Sequence, residues 1–305
     1  MSLAYVQPGQ TRTVLNQIDL TTGRIRQLFQ APGGSGIFAP PTGDNVAYVM
    51  IQTASGKEVS PGSGVQGTQV IHVRNLRTGR DIEVGQGSGP VWSWDGTRLA
   101  AFRAAGANLT EVMAMTMEDP HLRPVTPPGT DWTIMGWAGD RLLVFGIPFR
   151  LYLVSMDGSL QQIPTPDATI RDPSPDGKWV FAVSHQGDAV FQPLGGRTPV
   201  VIDLGPWQLG ASYWTGNDLV VVAAATGTQI DAPSTVLVLD PANGSVLQVP
   251  HTQGAVAAFP APDGASFVLA RGKYPPTWKL WTCRLSGRST RAGDVRIGVA
   301  PVQLR

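Results

Sequence analysis

The feature that most constrains this chain is a repeat. An aromatic residue or proline, a short polar turn and an apolar run recur six times. They read APPTGDNVAYV from Ala39, VWSWDGTRLAAF from Val91, GWAGDRLLVF from Gly136, DPSPDGKWVFAV from Asp172, YWTGNDLVVVAA from Tyr213 and FPAPDGASFVLA from Phe259. The turns centre on Gly43, Asp95, Gly139, Asp176, Gly216 and Asp263, at spacings of 52, 44, 37, 40 and 47 residues. A four-stranded propeller blade occupies about 40–45 residues. Each unit continues with a second strand ending in a polar turn, as in TQVIHVRNLRTGR, RLYLVSMDGS and STVLVLDPANGS. Thr78-Gly79, Asp157-Gly158 and Asn243-Gly244 supply the positive-φ positions that hairpins need. No stretch shows helical periodicity with caps.

The chain ends set the blade count. Ala4-Tyr5-Val6 matches Ala47-Tyr48-Val49, 43 residues later, so the chain starts at the second strand of a blade. The next turn after Asp263 would fall just past the C-terminus. The segment Asp294 to Gln303 is therefore expected to pair beside the N-terminal strands and close a ring of seven four-stranded blades. The 305 residues then divide at about 44 per blade, as one all-β domain over 1–305. The alternative, six blades with an unpaired N-terminal sheet, strands apolar edges.

Composition agrees. The 36 Gly and 26 Pro, with 18 Asp against 4 Glu and 19 Arg against 4 Lys, favour turns over surface helices. A formal net charge of +1 gives no ground for a nucleic-acid or anionic-membrane partner. The single cysteine, Cys283, allows neither an internal disulfide nor a cysteine-based zinc site. The longest apolar run, 219–225, is far shorter than the roughly 20 residues of a membrane span, and MSLAYVQPGQ lacks a signal-peptide pattern.

PSPDGKWVFAV, PAPDGASFVLA and SWDGTRLAAF resemble the PD40, or TolB-like, WD40-related propeller repeat. The resemblance implies a rigid scaffold for protein or peptide partners, commonly bacterial and extracytoplasmic. Related propellers gate prolyl oligopeptidases, and some are lyases. Gly139-Asp140 and Gly216-Asn217 depart from the Asp-Gly order, so those turns are expected to differ in type. Trp92, Trp94, Trp137, Trp214 and Phe259 occupy related places and read as packing between blades.

Sites of known chemistry are sparse. No serine has glycine at both −2 and +2, so no hydrolase elbow is present. Gly85, Gly87 and Gly89 have neither a following helix nor a suitably spaced lysine, and read as a link between blades. His72, His121, His185 and His251 show no paired metal spacing, and no cofactor or metal is expected. Asp131 and Asp172 precede innermost strands, where two carboxylates can do acid–base work; the plainer reading is solvated acids capping turns.

Loops leading into the innermost strands share one propeller face with the loops between second and third strands. That face is expected to collect Asp131, Trp132, Arg171, Asp172, His185 and Trp207 as ligand-binding residues, with Arg103, Asp231 and Lys273 to Pro276 around them. The hydrophilic insertion Thr53 to Thr68 reads as a lid, a partner loop or a tolerated insertion. The expected function is a non-catalytic scaffold binding a protein, peptide or small ligand on this face. The rivals are a propeller lyase or hydrolase built on Asp131, Arg171, Asp172 and His185, and a piece of a larger envelope protein.

Overall fold

The computed structural model describes residues 2–7, 12–32, 35–129, 132–146, 150–196, 198–227, 232–261, 263–271, 277–285, 289–296 and 303–304. They form seven antiparallel sheets, and the chain is a seven-bladed β-propeller. Among the described residues the one helical segment is a 3-10 turn, Pro61–Ser63, and no helix is long and apolar enough to cross a membrane.

Blade 1 orders its strands Gln303–Leu304, Ser2–Gln7, Arg12–Asp19 and Ile25–Pro32. Leu3 faces Leu304 and Ala4 faces Gln303, so the chain does begin at a second strand. The closing segment is shorter and later than expected. Asp294 belongs to Ser289–Arg296, the fourth strand of blade 7, and sits opposite Lys279. The long third strand of that blade, Thr277–Arg284, needs a partner of equal length for its backbone hydrogen bonds, and residues 289–296 supply it.

By contacts the chain divides into two compact units, residues 1–4, 17–26 and 166–305 in one, and 5–16 and 27–165 in the other. In the second unit blade 2 is built from Ile37–Phe38, Asn45–Gln52, Thr68–Asn75 and Asp81–Gln86, with blade 3 over 88–124 and blade 4 over 133–163. Trp92 in blade 3 donates its indole N–H to Phe38 O at 2.9 Å, and Trp137 in blade 4 donates to Val91 O at 3.0 Å. In the first unit, Trp214 of blade 6 donates in the same way to Asp172 O of blade 5 at 3.2 Å. One tryptophan position thus pins each of these blades to the innermost strand before it, and Trp92, Trp137, Trp214 and Phe259 are all buried. Trp94 differs: it lies in the turn and stays half-exposed.

The polar turns work through their Asp and Gly. In blade 5 the Ser174 hydroxyl donates to Asp176 Oδ1 at 2.7 Å, and Asp176 accepts the Lys178 N–H at 3.0 Å. Blade 3 repeats this with Ser93, Asp95 and Thr97. The reordered copies do change type. In blade 4 Ala138 pairs directly with Arg141 around Gly139-Asp140, and in blade 6 it is Asp218 that takes a positive φ, 58°.

Asp218 carries a consequence. Its Oδ1 is buried without a hydrogen-bond partner beside Asp176, since two carboxylates cannot bond until one takes a proton. Burial, then the Asp176 charge, push Asp218 up to about 6, while Asp176 is held low, chiefly by Lys178 and Ser174 against its own burial. A carboxyl raised on folding contributes stability below its unfolded value of 3.8 and loses it as pH rises through about 6. Asp218→Asn removes the charge, and Asn tolerates this backbone region. The variant is expected to melt above the parent at pH 8 and level with it at pH 4. Thermal melts across that range check this; a lower midpoint at pH 8 would reject the pair.

The insertion is not a plain loop. Glu58–Val59 turns back to pair with the second strand of blade 2, Ile51 opposite Val59 and Gln52 opposite Glu58.

Candidate ligand-binding site

The innermost strands share a defect. In blades 3, 4, 5, 6 and 7 the register between the first and second strands shifts, the mark of a β-bulge. A bulge leaves residues out of the ladder and re-aims their side chains. Four of these bulges carry little polar chemistry: Gly89-Pro90, Met135, Gly210-Ala211 and Val256. In blade 5 the residues in the shift are Arg171 and Asp172.

Arg171 and Asp172 therefore lie within the innermost strand, Thr169–Pro173, and not in the loop before it. Both keep solvent contact. Protein atoms nevertheless crowd the Asp172 carboxyl, and that desolvation pushes it up to about 6, with Arg171 pulling the other way. The solvent contact screens the penalty, so the shift marks a poised carboxyl rather than a costly buried one. Tyr213 of blade 6 is its neighbour: burial, then the Asp172 charge, hold that phenol protonated above its usual range. Tyr213 also packs on Phe259 with ring centroids 5.3 Å apart. No spacing rule pairs residues 172 and 213; the Trp214 bond to Asp172 O does.

The other expected residues distribute differently. His185 sits exposed in the Ser184–Asp188 turn, with Nε2 3.7 Å from Asp167 Oδ1. Thr169 pairs with Val183, so this pair lies at the leading end of the strand, roughly 10 Å from Asp172 at about 3.3 Å per residue. Trp207, half-exposed, precedes the blade-6 strand Gln208–Trp214, roughly 20 Å along it from Tyr213. Trp132 is a packing residue in blade 4. Its indole donates to Pro127 O at 3.1 Å and meets Tyr152 edge-on at 5.9 Å; a Cβ at Gly146 would stand 2.7 Å from its ring. Arg103 is held by the buried Glu111 at 2.7 Å. Asp131, Asp231 and Lys273 to Pro276 lie outside the described residues.

Among the described residues, Glu58, His72 and Glu83 of blade 2 form the group whose ligand atoms lie close enough to share a metal ion, within 4.8 Å of one another. They are 14 and 11 residues apart, and only the sheet register joins them.

No family model and no curated protein matches this chain. Solved structures do. TolB from Acinetobacter baumannii aligns with TM-score 0.50 and 16% identity over 97% of this chain and 65% of TolB. The β-propeller domain of the Trilobed protease from Pyrococcus furiosus aligns with TM-score 0.61 and 13% identity over 96% of each chain. A prolyl endopeptidase aligns with TM-score 0.65 and 14% identity over 98% of this chain and 49% of its own. The fold is a TolB-like propeller. This chain spans 65% of TolB and about half of the endopeptidase, and at such identities the likeness concerns the fold alone.

Proposed function

We propose that this propeller is a binding scaffold of the PD40 type, taking a protein or peptide segment, or a small ligand, along the innermost strands of blades 5 and 6, from their leading loops to the blade-5 bulge. The observation that carries the reading is the charged bulge of blade 5. Where the other bulges present glycine or apolar residues, this one presents a guanidinium and a carboxylate to solvent beside Tyr213. Trp207, His185 and Asp167 lie at the leading ends of the same strands. An extended segment of about six residues reaches from the bulge past the His185–Asp167 pair, roughly 10 Å away, to Trp207, roughly 20 Å along the blade-6 strand from Tyr213. The extracytoplasmic setting and bacterial origin that the repeat resemblance implies belong to the same reading.

The test is a thermal-shift screen with short charged peptides and saccharides as probes. A probe that raises the melting midpoint is expected to lose at least tenfold in affinity in Arg171→Ala and in Trp207→Ala, with their own midpoints near the parent's. Binding unchanged in both variants overturns the placement.

A second reading follows from Asp172. A carboxyl titrating near 6 next to a phenol is suited to general acid–base catalysis, as a propeller lyase or hydrolase requires. Turnover separates the two: an enzyme acts on a polysaccharide or peptide substrate and loses that turnover in Asp172→Asn, while a scaffold turns over neither substrate in either form.

A further inference from the structure

We propose that blade 2 carries a binding site for a divalent transition-metal ion of the zinc type, formed by Glu58, His72 and Glu83, and that the ion fastens the 53–68 insertion to the blade. The site is built across the sheet. His72 on the third strand, Thr68–Asn75, stands directly opposite Tyr48 on the second strand and Glu83 on the fourth. Glu58 arrives from the insertion because Glu58–Val59 pairs along Asn45–Gln52. His72 Nε2 already lies 3.1 Å from Glu58 Oε1. Zinc–ligand bonds of 2.0–2.2 Å put tetrahedral ligand atoms about 3.4 Å apart. Ligand atoms within 4.8 Å of one another reach that spacing by side-chain rotation.

The imidazole is oriented from behind. Its ring stacks on Tyr48, centroids 5.1 Å apart at 23°, and Tyr48 in turn meets Phe29 in a tilted contact, centroids 5.3 Å apart at 48°. Nδ1 points at Asp81 Oδ1, 3.6 Å away. Asp81 is itself held, accepting the Tyr48 hydroxyl at 3.0 Å and Arg74 at 3.2 Å. With a metal on Nε2 the ring carries its proton on Nδ1, and closing the gap to Asp81 by about 0.6 Å makes a hydrogen bond. A carboxylate behind a ligating histidine, fixing its tautomer and ring plane, is the usual support of such a ligand.

The charges also fit. Arg74 offsets Asp81, so Glu58 and Glu83 are the two negative charges facing the imidazole, and a dication matches them. Two carboxylates and one imidazole suit zinc and its first-row neighbours over calcium, which prefers six or more oxygens. Three protein ligands leave a coordination position open.

The test uses the full chain, dialysed against EDTA and then titrated with ZnCl2, with CoCl2 absorption as a second probe. One equivalent is expected to bind. Glu83→Gln and Glu58→Gln, at exposed and partly exposed positions where folding is not at stake, are expected to weaken binding at least tenfold. Asp81→Asn is expected to weaken it 10–100-fold. His185→Ala is expected to leave it unchanged. Zinc is also expected to slow tryptic cleavage after Lys57, next to the Glu58 ligand. No saturable binding up to 1 mM, or binding indifferent to both Glu substitutions, overturns the site. Binding with an unchanged rate of cleavage at Lys57 overturns the fastening of the insertion.

Discussion

Trp137→Ala is expected to lower the stability of the protein by roughly 3–5 kcal/mol, read as a shifted midpoint in urea unfolding. Trp137 is 6% exposed and lies in one apolar cluster with Ala100, Val112 and Ala114 of blade 3 and Leu142, Val144 and Val154 of blade 4. Truncation opens a cavity between two sheets. Each sheet is held by its own ladder, so neither can close in on the space. The indole N–H also leaves, and Val91 O, in a part-buried position, loses its donor. Trp137→Phe separates the two terms: it keeps most of the volume and is expected to cost about 1–2 kcal/mol, the price of an unmet carbonyl. A loss under about 1 kcal/mol in Trp137→Ala would show that the blades do not depend on this wedge.

Gly96→Ala is expected to cost about 3 kcal/mol, from two sources that add. Gly96 has φ +68°, a region in which an L side chain pays about 1 kcal/mol or more. Its Cβ would also stand 2.6 Å from Thr42 O and 3.0 Å from the Pro40 ring, atoms of the preceding blade's turn. Backbone is the obstacle, and Thr42 is tied there, its N–H and hydroxyl both donating to Trp94 O. Gly56→Ala is the control. Its φ is +77°, with nothing within 4 Å of the added carbon, so it is expected to show the backbone term alone. Equal losses at the two glycines, measured by the same unfolding curves, would remove the blade contact from the account.

These predictions start from features visible in the chain. The six turn copies locate Trp92, Trp137 and Trp214 at one position of the repeat, and a position that recurs about every 44 residues is met by the same neighbour each time. The reordered Gly216-Asn217 copy likewise announces a different turn, although not that Asp218 would take the positive φ or face Asp176.

The candidate site was less legible. Arg171, Asp172, His185 and Trp207 are in the sequence argument, but as members of one loop cluster. The structure keeps His185 in the turn between second and third strands and Trp207 just before Gln208–Trp214, but puts Arg171 and Asp172 in a bulge near the far end of Thr169–Pro173, away from the other two. Trp132, expected among the ligand-binding residues, is half-exposed and packs against Tyr152 and Gly146. In the sequence Tyr213 stands only as the first residue of a turn copy, YWTGNDLVVVAA.

The sequence by itself determined the blade count, the strand at which the chain begins and the chemistry of the turns. Those properties are local and periodic: turn residues act within three or four positions, and alternation within one strand. Only the tertiary structure decided which charged side chains meet. Glu58, His72 and Glu83, like Asp172 and Tyr213, are brought together by lateral strand register and by packing between blades. Bulges reset register one residue at a time, and a one-residue slip moves a side chain to the opposite face of its sheet.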